Sequence, residues 1–191
     1  MKDARTTIVT QALKLFLEHG YDGMSLSELT RDTGLSKGAI YHHFKDKDDL
    51  FTAAIEQFFL QFLPVQADQQ PPTDFEGTVK SLVDGYAAML AAVDEVTPDR
   101  LAYFRFILAI APKIQPQLRE RMNAVRNHLI ATLSAEATAG RLKSDRPATM
   151  LADQILGLIE GASLLAAIAG CSDPAESMRE TVMDFVATLL R

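Results

Sequence analysis

"SLSELTRDTGLSKGAIYHHF", Ser25 to Phe44, holds two helix starts and one helix stop in a single short stretch. Ser25-Leu26-Ser27-Glu28 is a capping box: the serine hydroxyl accepts from the third helical amide and the glutamate reaches back to the cap. Gly34 ends that helix, and Ser36 caps a second one running to about Phe44. Two short helices joined by Thr33-Gly34-Leu35-Ser36 fit a helix-turn-helix, whose turn is short and often contains Gly. In such a unit the second helix enters the major groove and its N-terminal part meets base edges. Ile40 and Phe44, four apart, turn to the core, which leaves Lys37, Tyr41 and His42 toward the groove. Gly38 and Ala39 allow close approach of the backbone. From Arg31 to Lys47 there are four Lys/Arg and two Asp, so the stretch is net positive.

Helical signals continue on both sides. Ile8, Val9, Ala12, Leu13, Phe16 and Leu17 form one apolar stripe at helical spacing, ended at Gly20. Asp46-Lys47-Asp48-Asp49 caps a fourth helix carrying Leu50, Phe51, Ala54, Ile55, Phe58, Phe59 and Phe62. Residues 64–74, PVQADQQPPTD, read as a linker. Thr73-x-x-Glu76 is a further capping box, and Thr97-Pro98 is expected to start the next helix. Leu101 to Ala111 is apolar nearly all round apart from Arg105 and is expected to be buried. Leu118 to Leu133 carries a long stripe that ends near Gly140. Ser144-Asp145-Arg146-Pro147 and Asp173-Pro174-Ala175-Glu176 open the last two helices. The expectation is an all-α chain of about nine helices: residues 1–47 as a three-helix DNA-binding domain, and 48–191 as a helical regulatory domain connected by the helix from 48 to about 63.

The chain has 191 residues, 48% of them apolar, enough for a substantial core. Its net charge is -6 and its pI about 5.2, so a nucleic-acid surface must be local rather than global. A single cysteine, Cys171, allows no intrachain disulfide and fits a reducing compartment. The four histidines show no metal-ligand spacing, and no cofactor is implied. Met150 to Ala169 is the most membrane-like run, but Asp153 and Glu160 interrupt it, and the N-terminus lacks a signal-peptide pattern. These features point to a cytoplasmic protein.

Gly20 to Phe51 resembles the DNA-binding domain of the tetracycline-repressor (TetR) family. The shared features are the Gly-aromatic entry, the capped short helix, the Gly-Leu-Ser turn, the G-x-x-Y-x-x-F helix and the K-x-x-L start of helix four. The match covers roughly residues 5–55. It implies that Ser25, Tyr41, His42 and Lys47 are phosphate or groove contacts, and that Lys37, Gly38 and Ala39, beside the cap Ser36, lie over base edges. Thr30 departs from the family's frequent Ala, and its hydroxyl needs a partner such as a carbonyl one turn back. The resemblance also implies a homodimer through the last two helices, with Leu158, Gly161, Leu165, Val182, Val186 and Leu189 at the interface. The alternative for Gly157 and Gly161 is packing inside the subunit.

Pockets are mostly apolar with a few placed polar groups. Tyr86, Met89, Tyr103, Phe104, Ile107, Met122 and Val125, with Phe58 and Phe62, are the candidate lining for a small, largely apolar effector. Arg105, His128 and Glu160 are polar residues among apolar neighbours with no assigned role. The reading is a ligand-responsive transcriptional regulator, a repressor on a palindromic DNA operator, with helix four as the lever between effector and DNA. A protein-binding adaptor, or an enzyme or cofactor carrier, is the competing reading. Against an enzyme, the sequence has no Glu-x-x-His pair, no nucleophile elbow and no phosphate loop.

Overall fold

The computed structural model describes residues 3–58 and 74–191. Eight helices make up the ordered elements among these residues: α1 (Ala4–Gly23), α2 (Leu26–Thr33), α3 (Lys37–His43), α4 (Lys47–Phe58), α5 (Phe75–Asp94), α6 (Ala102–Thr138), α7 (Ala148–Ile168) and α8 (Pro174–Leu189). Their only β pairing is an isolated antiparallel bridge, Leu142 with Leu190. The fold is all-α.

The helix ends follow the local chemistry. Gly20 takes φ 72° inside the α1 span, so the regular helix breaks there before Tyr21. Gly34 sits in the left-handed region with φ 70°, and its N–H donates to the Thr30 carbonyl. At the head of α4, the Asp46 carboxylate accepts from the Asp49 N–H at 2.8 Å while the Asp49 carboxylate accepts from the Lys45 N–H at 2.9 Å. Asp173 accepts from the Glu176 N–H, with Pro174 in the first turn.

Several expectations change. At α5 the Asp74 carboxylate accepts from the Gly77 N–H at 2.7 Å, so Asp74 does the capping; Thr73 and linker residues 64–73 lie outside the described residues. Thr97-Pro98 does not begin a helix. The Thr97 hydroxyl accepts from the Asp99 N–H and the Asp99 carboxylate from the Leu101 N–H, so the chain turns until Ala102. The 101–111 run and the 118–133 stripe are one continuous helix of 37 residues, α6, passing through Pro112 and Pro116. Its outer face is not buried: Leu108 is 77% exposed.

The described chain divides into two compact units. The first joins the N-terminal residues through α4 to Ala91–Lys113 and therefore extends beyond residue 47. Its core holds Leu13, Phe16, Leu29, Ile40, Leu50 and Phe106. The second joins the α5 segment up to Leu90 to Ile114–Arg191. There Val79, Val83, Leu129, Leu133, Ile155, Met178 and Val182 form a continuous apolar core. The chain's last residues are tied in by backbone bonds: Lys143 N–H to the Leu189 carbonyl and Arg191 N–H to the Arg141 carbonyl.

By length and composition α7 is apolar enough to cross a membrane, and a third of that stretch is buried inside the protein. Its Asp153 is held by Arg126 of α6 through two bonds of 2.6 and 2.9 Å.

Candidate nucleic-acid interface

The first unit builds its reading head from local bonds. The Ser25 hydroxyl accepts from the Glu28 N–H at 3.2 Å, and the Glu28 carboxylate accepts from both the Ser25 N–H and its hydroxyl. These bonds hold the Glu28 carboxyl below its usual range. Thr30 donates to the Ser27 carbonyl at 2.7 Å, which satisfies the hydroxyl that replaces the family's small residue. In the turn, Thr33 donates to the Leu29 carbonyl at 2.6 Å and accepts from the Leu35 N–H at 3.3 Å. Ser36 caps α3 by accepting from the Ala39 N–H at 3.1 Å. The turn is thus bonded on both sides of Gly34, and α3 leaves it in one fixed direction.

α3 presents two faces. Ile40 is 2% exposed and Phe44, just past its end, 3%, both in the core. Lys37, Gly38, Tyr41 and His42 are exposed, with Tyr41 at 50%, and Ala39 is half-buried. The His42 and His43 rings meet edge-on at 5.3 Å between centroids. Ser25 and Ser36 are exposed as well, so six of the eight expected contact residues are exposed and Ala39 is half-buried.

Lys47 is the eighth and differs. Its Nζ donates to the Met24 carbonyl at 2.7 Å and to the Asp22 carbonyl at 3.4 Å, and lies 4.8 Å from the Tyr21 ring centre. One of its three N–H groups stays free of these bonds. Sequence reasoning missed Arg5, whose guanidinium lies 5.3 Å over the Phe44 ring beside α3. It also missed Tyr21 as an organising residue. The Tyr21 hydroxyl donates to the Asp48 carboxylate, which with burial pushes the phenol up to about 12.

This arrangement coincides with what known proteins share. Residues 8–54 match the family model for the N-terminal domain of bacterial regulatory proteins of the tetR family, and residues 80–191 match that for the C-terminal domain of AefR-like transcriptional repressors. The chain belongs to the TetR family. An HTH-type transcriptional repressor of Mycobacterium tuberculosis is 30% identical over 98% of this chain and 92% of its own length. The HTH-type transcriptional repressor AcnR of Corynebacterium diphtheriae is 27% identical over 95% and 90%. Among solved structures, the TetR family protein CprB from S. coelicolor A3(2) matches with a TM-score of 0.65 at 21% identity, covering 98% of this chain and 88% of that one. Its likeness extends to the fold.

The other expected site residues fall in separate units. Tyr103 is buried and Phe104 and Ile107 half-buried in the first; Met89 and Val125 are buried and Tyr86 and Met122 half-buried in the second. Phe62 and the Phe58 side chain lie outside the described residues. In the second unit the Tyr86 hydroxyl donates to the Glu160 carboxylate at 2.7 Å and accepts from the Ser163 hydroxyl at 3.3 Å. Glu160 as a residue is exposed, yet the protein around its carboxyl raises the pKa by burial, against the opposing Tyr86 bond. Arg105 pairs with Asp99, and His128 meets the Thr78 hydroxyl at 3.3 Å.

Three interface expectations need correction. Val182, Val186 and Leu189 are 0%, 2% and 6% exposed within one subunit, so they are core residues and not surface. The stripe of α8 that looked free packs inward. The outward face belongs to α7: Met150, Leu165 and Ile168 are 49%, 67% and 62% exposed. Gly157 and Gly161 share that face, and beyond its own stretch of helix a Cβ built on either would meet no atom of the described residues within 4 Å. Leu158 packs partly against the core beside them.

Proposed function

We propose that the protein is a transcriptional repressor acting as a homodimer on a roughly palindromic DNA operator, released by a small, largely apolar effector. The observation that carries this is the exposed Lys37-Gly38-x-x-Tyr41-His42 face of a rigidly capped α3. Lys37, Gly38 and Ala39 face base edges; Ser25, Ser36, Tyr41, His42 and the spare N–H of Lys47 face phosphates. The names of the M. tuberculosis and C. diphtheriae relatives support repression. They also support a regulator in place of an enzyme, and with it a cytoplasmic location.

Dimerisation is assigned to the outward face of α7, where Gly157 and Gly161 let a second helix approach closely and Leu165 supplies apolar area. Two subunits are needed because one major-groove helix reads only a few base pairs, and two-fold protein symmetry is mirrored in the site. Effector binding is assigned to the second unit, inside the region matched by the AefR-like C-terminal model, with Tyr86, Met89, Met122 and Val125 as its residues.

Selection of bound duplexes from random DNA tests the core of the reading. A short inverted repeat should emerge, with affinity falling steeply as salt rises. Absence of any salt-dependent DNA binding would remove it.

A further inference from the structure

The DNA-contacting segment ends at α4, yet one residue of α6 reaches its base. The Lys113 ammonium lies 3.2 Å from the centre of the Tyr21 ring. Phe106, two turns earlier on the same face of α6, meets Phe51 of α4 edge-on at 6.1 Å. We infer that Lys113 is a positioning residue for DNA recognition, holding the reading helix in register through Tyr21.

Tyr21 stands where the elements around α3 converge. It follows the Gly20 break in α1 and precedes the Ser25 cap of α2. Its ring stacks on Phe16 at 6.0 Å and meets Phe51 of α4 edge-on at 4.8 Å. Its hydroxyl donates to Asp48 in the first turn of α4. Lys47, beside Asp48, donates to the carbonyl of Met24, the residue before the α2 cap. The end of α2's entry and the start of α4 are thus fastened to one ring. α3 lies between α2 and α4 in the chain, so its direction is set by both.

Lys113 adds the outer fastening. A cation over an aromatic face is attracted to the negative side of the ring. A phenol that donates to a carboxylate gains electron density, and hydrogen-bonded groups polarise one another. The Asp48 bond therefore strengthens the attraction for Lys113. Lys113 lies outside the residues matched by the N-terminal family model. Its role is not that of a phosphate contact but of a strut behind the surface that makes such contacts.

The experiment uses the duplex that the unaltered protein selects from random sequence, and therefore rests on the DNA-binding reading. Operator affinity is measured across a salt series for Lys113→Met, Lys113→Arg, Tyr21→Leu and the Lys113→Met/Tyr21→Leu pair, with circular dichroism to verify folding. Lys113→Met should weaken binding roughly two- to tenfold, the range of one partly solvated cation–π contact, with an unchanged salt slope. Lys113→Arg, which keeps the cation over the ring, should restore most of it. In the Tyr21→Leu background, Lys113→Met should cost nothing further. Wild-type affinity in Lys113→Met overturns the inference. So does a loss with a flatter salt slope, which marks a phosphate contact, or an undiminished loss without Tyr21. If the unaltered protein selects no duplex, it is the DNA-binding reading that fails.

Discussion

The short helices of the first unit and α7 of the second are stabilised by opposite means. In the first, α2, α3 and α4 are short, and a side chain ties the start of each: Ser25, Ser36 and Asp46. In the second, α7 is 21 residues long and opens at Pro147 with no side-chain cap. Helices as short as α3, of seven residues, gain little from their own propensity and need local bonds to hold their ends. A long apolar helix is held by the face it buries, here Leu151, Ile155 and Ile159. The contrast suits the division of work. A reading surface needs an exact helix direction, whereas a regulatory body needs packed area and leaves a face of α7 uncovered.

The sharpest way to break the second unit is to place a charge where α8 packs inward. Val186→Glu should cost at least about 4 kcal/mol, because an unpaired buried charge has no compensating partner. Loss of the cooperative melting transition is the expected result. A folded monomer would instead return Val186 to the subunit surface.

A gentler change tests the first unit. Ser36→Ala removes the acceptor for the Ala39 N–H and should destabilise by about 1 kcal/mol. It leaves every exposed side chain of α3 in place, so the selected base motif should persist while affinity falls. An altered motif in Ser36→Ala would mean that the cap also reads sequence.

The smallest effect is a slope. The folded pKa of Glu160 is raised, so the folded chain holds this proton to higher pH than the unfolded chain does. Its contribution is therefore full below the unfolded carboxyl value and is lost as pH rises through the folded one. Denaturant midpoints between about pH 4 and 7 should decline less with pH in Glu160→Gln than in the unaltered chain. Identical slopes would show that burial does not govern this carboxyl.

What the sequence made legible follows the same contrast. The capping box at Ser25, the stop at Gly34 and the inward Ile40 and Phe44 depend on neighbours within a few positions, so spacing alone reveals them. The course of α6 does not. Its two apolar runs, 101–111 and 118–133, differ in pattern, and between them Pro112 and Pro116 each lack an N–H and crowd the preceding turn, yet one helix passes through both. The stripe on α8 was visible as a stripe, but an apolar stripe looks the same whether it meets its own subunit or another. The Lys113–Tyr21 contact joins residues far apart in sequence, with no motif in common.

The short backbone bridge at the end of the chain has a kinetic consequence. Leu142 and Leu190 pair, and Lys143 donates to Leu189, so the stretch carrying α7 and α8 is closed at its base like a ring. A segment whose two ends are held together pays its loop-closure entropy once, for both helices. In native-state hydrogen exchange, α7 and α8 should then open as a single cooperative foldon, their amides sharing one opening free energy. Exchange would begin at the bridge, and fraying of the last few residues would be the first step in exposing both helices to solvent.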